Sequence, residues 1–164
     1  MKNQRVVLVI VVFHLFLALA GAQEFHKQLQ AGEKQHVLDG PFTVITKTEE
    51  MPASVKQAFA KITGGGPFSL ANPGQKFEAT DVIVDRTLPR RRLIFAGTLG
   101  SEWFVHYERG GIGLSYCVLL FSVDSKNGLQ FIWGGYGLHP AKGLEELRKM
   151  IADGQFSDDK HFYP

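Results

Sequence analysis

Cysteine is almost missing from this chain of 164 residues: Cys117 stands alone, so no disulfide can form within it. Small exported domains with thin cores usually carry several cysteines. Ordinary packing has to hold this one together instead, and 13 phenylalanines supply the material. Glycosylation acceptors are missing too, because Asn72 and Asn127 both lack a hydroxyl residue two places on. The histidines after residue 22, His26, His36, His106, His139 and His161, are widely spaced, with no His-x-x-x-His pair, so no metal site is expected. No segment repeats, and none is of low complexity.

An excess of charge is lacking as well, once the first residues are set apart. Lys2 and Arg5 precede the nearly all-apolar Val6–Ala20, and Ala20-Gly21-Ala22 offers small residues for cleavage. That is the layout of a signal peptide over residues 1–22. The apolar run falls short of the roughly 20 residues a membrane-spanning helix needs, so no stable anchor is expected after cleavage. Taking Lys2 and Arg5 from the 18 Lys and Arg leaves 16, which balances the 16 Asp and Glu. A neutral mature domain has no general attraction for nucleic acid or an anionic bilayer. Its 142 residues (164 less 22) suit one domain, expected to be secreted or periplasmic.

Residues 23–40 form a polar leader, frayed or folded as a short helix; the domain proper is expected over 41–164. Pro41–Thr48 alternates around Phe42, Val44 and Ile45 like a short edge strand. Pro52–Thr63 reads as a helix: Pro52 opens it, Val55, Ala58, Phe59 and Ile62 make one apolar stripe, and Gly64-Gly65-Gly66 stops it. Extended segments are expected at Lys76–Val84, Arg91–Thr98, Glu102–Glu108, Leu114–Val123 and Leu129–Gly134. The glycine-rich break Gly110–Gly113 and the Asn127-Gly128 pair mark hairpins. Connections this short force antiparallel neighbours, since a parallel crossover needs a dozen or more residues. Pro140–Asp153 is the second helix, striped by Leu144, Leu147 and Ile151, with Glu145 and Lys149 spaced to pair. The fold class is therefore α+β: a curled antiparallel β-meander of about five strands packed on an N-terminal helix, with a second, C-terminal helix at an end or edge. In outline this is similar to cystatin-like folds, a likeness of architecture that implies no function.

Three groups of residues could carry chemistry. A four-residue loop at Gly110–Gly113 would set His106 across from Cys117, a base beside a nucleophile; a three-residue loop would set it across from Tyr116, and one step of register turns side chains to the other face. Against this, Cys117 sits in an apolar run where free cysteine is an ordinary small hydrophobe. On a strand His106 and Glu108 share one face, and Tyr107 and Arg109 the other, which makes a recognition edge of the Tyr-Arg pair unless Glu108 and Arg109 are simply solvated charges at a strand end beside a turn, the commoner case. Arg90, Arg91 and Arg92 form the densest positive cluster, suited to a carboxylate or phosphate unless Glu78, Asp81 and Asp85 neutralise it. Aromatic residues, among them Trp103, Trp133 and Tyr136, crowd the last strands; they line a ligand pocket if the sheet is concave, or fill the core. Gly64–Gly66 follows a helix instead of leading into one, so no nucleotide cradle, and no cofactor, is expected.

These features point to a domain that works by binding, with Arg90, Arg92, Trp103, Tyr107, Arg109, Trp133 and Tyr136 as contact residues. The partner is an exported protein or a small apolar ligand, and an open edge strand would offer a route to a homodimer. The rival reading is a small hydrolase or isomerase using His106 with Glu108 or Cys117.

Overall fold

The computed structural model describes Phe25 and residues 27–158. The expected signal peptide, residues 1–22, lies outside the described residues. Helix α1 spans Ala31–Asp39, strand β1 Thr43–Ile45, helix α2 Ala53–Ile62, strands β2 Arg91–Leu99, β3 Glu102–Arg109, β4 Ser115–Asp124 and β5 Gly128–Gly137, and helix α3 Leu144–Ala152. The strands form one open antiparallel sheet in the order β1-β2-β3-β4-β5. The fold is α+β, with a helix before the meander and another after it.

Both faces of the sheet are covered. Helix α2 lays Val55, Ala58, Phe59 and Ile62 on one face, against Leu93, Ala96, Val105, Tyr107, Cys117, Leu119 and Phe121. Helices α1 and α3 cover the other with Val37, Leu147, Met150 and Ile151, against Phe95, Phe104, Val118, Leu120 and Trp133. Burial on both faces explains why Tyr116–Phe121 reads as an almost unbroken apolar run instead of alternating. The C-terminal helix therefore lies over a face, and not at the end or edge that the sequence suggested. Arg148 of α3 fixes α1 to it, donating to the carbonyls of Val37 and Gly40, while Lys34 of α1 reaches the Ala152 carbonyl at 3.0 Å. These are the carbonyls at helix ends that have no partner within the helix.

Several local expectations hold. Helix α2 starts after Pro52 and ends at Thr63, where Gly64 and Gly65 take positive φ (117° and 71°). The β4–β5 turn uses Asn127-Gly128: the Asp124 carboxylate accepts the Lys126 and Asn127 N–H groups at 2.6 Å, and Gly128 has φ +68°. Three expectations fail. Lys76–Val84 is irregular, and the fifth strand is supplied by Thr43–Ile45. Glu145 pairs with Arg148 and Lys149 with Asp153, not with each other. The β3–β4 turn runs from Gly110 to Leu114, closed by Arg109 opposite Ser115, one residue longer than the longer of the two registers considered.

Two bulges set which side chains face which layer. Leu93 lies opposite Tyr107 and Phe95 opposite His106, so Ile94 is the extra residue on β2; Ile132 plays that part on β5. Because of the bulge, Leu93 and Phe95 belong to different faces although they are two apart.

Candidate functional site

The register decides the enzymatic idea first. His106 pairs with Val118 and Tyr107 with Cys117, so the imidazole and the thiol project from opposite faces of the sheet. Neither expected register occurs, and the two side chains cannot act as a dyad. His106 is fully buried under α3, beside the rings of Phe95 and Phe156. Its Nδ1 lies 2.9 Å from the Cys117 carbonyl and its Nε2 accepts the Ala141 N–H at 3.0 Å, which fixes the neutral tautomer protonated on Nδ1. Burial lowers its pKa to about 4, against a smaller opposing effect of the carbonyl bond. Both ring nitrogens are in use, and the ring tethers the segment before α3 to the sheet.

On the other face Cys117 is also fully buried, and burial pushes its thiol up to about 11. Tyr107 beside it is fully enclosed, with its phenol raised well above the usual value, again by burial. Arg91 points inward to the end of α2, donating to the Thr63 carbonyl at 2.8 Å; desolvation lowers its pKa. Glu108, which shares the His106 face of β3, is paired with Arg92. The Arg92 guanidinium also lies over the Phe77 ring, 4.4 Å from its centroid. Thus Glu108, and none of Glu78, Asp81 or Asp85, forms the ion pair with this cluster. The Glu78 carboxylate instead accepts the Asp85 N–H at 2.6 Å, and Asp85 binds Thr87. Trp103 and Trp133 are core residues, one on each face.

The remaining three, Arg90, Arg109 and Tyr136, come together at the end of the sheet where β3 turns into β4. They line an open cleft of about 630 Å³ with Ile112, Leu114 and Leu138. Its wall is built from two backbone segments pressed together. Gly110 donates to the Arg90 carbonyl at 3.0 Å, Glu78 to the Pro89 carbonyl at 2.8 Å, and Thr80 bridges Gly111. Residue 110 has to be glycine here, because a Cβ would stand 1.9 Å from the Glu78 carbonyl oxygen. From this zipped base the loop carries Asp81 to the cleft and leaves Val82, Ile83 and Val84 exposed.

The cleft is apolar where most rims are polar. Ile112 is 99% exposed, Leu138 73% and Leu114 43%. Sequence reasoning located the two tips, Gly110–Gly113 and Pro89–Arg92, but not the aliphatic residues between and beside them. The available signal was an isoleucine flanked by glycines, in a turn that needs none. Among the described residues no group of three His, Cys, Asp or Glu could hold a metal ion. A smaller depression of about 250 Å³ lies between α1 and the sheet, where His36 meets Glu102 at 2.5 Å. Compared with family models, curated proteins and solved structures, the chain matches none.

Proposed function

We propose that this chain is an exported, non-catalytic binding domain whose contact site is the cleft at the β3–β4 end. One observation carries the reading: aliphatic side chains from separate stretches of chain, Ile112 and Leu114 in the turn and Leu138 beyond β5, gather solvent-exposed around one concavity. Single exposed apolar residues are ordinary, whereas a contiguous apolar surface marks a place where something binds. The volume falls in the range of small-molecule sites, roughly 300–1,000 Å³. The ligand is a small apolar molecule or the apolar segment of another exported protein. Export rests on the Lys2/Arg5, Val6–Ala20, Ala20-Gly21-Ala22 pattern.

Supporting a binding role, the residues nominated for catalysis are committed elsewhere: His106 to two backbone groups, Glu108 to Arg92, Cys117 to the core. The test is titration with Nile red, an uncharged fluorescent dye, of the mature protein and of Ile112→Ser/Leu138→Ser. Saturable binding at one site is expected, weakened about tenfold or more in the double variant, since burying two aliphatic side chains is worth several times 1.4 kcal/mol. No saturable binding, or equal binding by both proteins, would overturn the reading.

A further inference from the structure

The geometry points to a second copy of this chain as the occupant of the cleft: two copies meet end to end about a twofold axis, each seating its 82–84 tip in the other's cleft. The inference rests on the cleft being the binding site and names what fills it. Seven large apolar side chains stand exposed among the described residues, and six of them lie around the cleft or in the loop that reaches it. Ile112, Leu114 and Leu138 line the cleft, whereas Val82, Ile83 and Val84 do not. The tip is therefore not spent on its own cleft: Val82 is 65% exposed and Val84 83%. It is also held in place. The Glu78 carboxylate accepts the Asp85 N–H at 2.6 Å across the ends of the loop, the Asp81 carboxylate accepts the Val82 N–H at 3.0 Å, and the Thr80 hydroxyl donates to the Val82 carbonyl at 3.0 Å. A tip fixed beforehand loses less freedom on docking than a loose one.

An apolar tip beside an apolar cleft, at one end of one molecule, is self-complementary, which a twofold contact requires. A small apolar molecule would fill the cleft and leave the tip wet; a second copy covers both at once. Charge agrees with this. Asp81 and Arg90 both line the cleft, yet no ion pair joins them, and the Arg90 guanidinium has neither a hydrogen bond nor an ion pair among the described residues. One acid and one base, each without a counter-ion in its own chain, raise no like-charge barrier between copies. The proposed register sets each Asp81 against the Arg90 of the other copy. Such a contact closes at two and leaves nothing to extend a fibre.

The experiment is sedimentation velocity on the mature protein at concentrations up to ~1 mM. A contact confined to one end of the domain belongs to the small, transient class, so a reversible dimer is expected, half formed at a concentration on the order of 10–100 µM. Val82→Ser/Val84→Ser should weaken it about tenfold or more yet bind Nile red as the parent protein does, because those side chains fill the other copy's cleft. Saturating Nile red should dissociate the dimer. Asp81→Arg and Arg90→Asp should each weaken dimerisation about tenfold, and an equimolar mixture of the two should regain it, since opposite charges then meet again across the axis. A monomer throughout, or a dimer indifferent to Nile red or to Val82→Ser/Val84→Ser, would overturn the inference while leaving the cleft standing as a ligand site. Association that runs on past two, or no recovery in the mixture, would overturn the twofold register. Absence of saturable Nile red binding at protein concentrations low enough for the monomer would instead overturn the site itself.

Discussion

Acidifying the protein from pH ~7.5 to ~4.5 should remove stability through His106, and the size of the loss follows from its surroundings. In the fold the ring is neutral, with Nδ1–H donating to the Cys117 carbonyl and Nε2 accepting from Ala141. A second proton on Nε2 would face the Ala141 N–H donor and would put a charge between the rings of Phe95 and Phe156. The folded group titrates near 4 and the unfolded imidazole near 6.5. As pH falls, the unfolded chain takes up the proton first, so stability is complete above 6.5 and declines towards 4. At about 1.4 kcal/mol per pH unit the whole window is worth roughly 3 kcal/mol. Urea unfolding at a series of pH values measures it. His106→Leu serves as the reference: it costs stability at neutral pH by orphaning the Ala141 N–H, roughly 1–3 kcal/mol, but it should flatten the difference curve. If that variant does not fold, the imidazole proton resonances of the native protein give the same answer directly. Parallel pH curves for the two proteins, or a His106 resonance titrating near 6.5, would refute the account.

Two further outcomes follow from packing. In Gly97→Ala the new Cβ would stand 2.1 Å from a ring carbon of Phe104, which is held between Phe42 and Phe95; a loss of about 1–3 kcal/mol in chemical unfolding is expected, and a loss within error of zero would show that the ring can move aside. Iodoacetamide at pH ~8 should label Cys117 only as fast as the protein opens, because the thiol is buried and titrates near 11; complete labelling within minutes, with no unfolding by circular dichroism, would contradict its burial.

The meander and two of the helices were legible because their signals are local. The Val55–Ile62 stripe, the Asn127-Gly128 turn and the short connections each depend on a few neighbouring residues. Layer assignment was not legible, since it depends on where a bulge falls. Ile94 gives no sign in sequence that it is an extra residue, yet it moves Phe95 to the α3 face while Leu93 stays with α2. The turn length failed for a related reason. Leu114 reads as the first residue of a strand, yet it falls in the turn, whose first residue, Gly110, lies tight against the backbone of Glu78 and Ala79. Likewise Lys76–Val84 has strand-like composition, but the Glu78 carboxylate folds it back by capturing the Asp85 N–H. Here a tertiary contact overrides a β-propensity that was always weak evidence.

The same contacts explain why the cleft proposed as the site lies at that end of the sheet. With α2 on one face and α1 and α3 on the other, aromatic residues that might have lined a concavity are consumed as core: Trp103, Tyr107 and Trp133 are all buried. Apart from Val44 on β1, the large apolar side chains left exposed among the described residues lie off the strands. At the β2–β3 end the connection is short, turned by Gly100 at φ +61°. At the β3–β4 end the turn, Asp81, Arg90 and Leu138 come together around the cleft, with Thr80 bridged to Gly111. Aliphatic residues there gain nothing from the fold's own core, so their gathering needs a cause outside it. Burial against a ligand supplies one, and replacing Ile112 and Leu138 by serine separates the two cases: residues that serve only binding can be lost without lowering the melting temperature, whereas residues that brace the loop cannot.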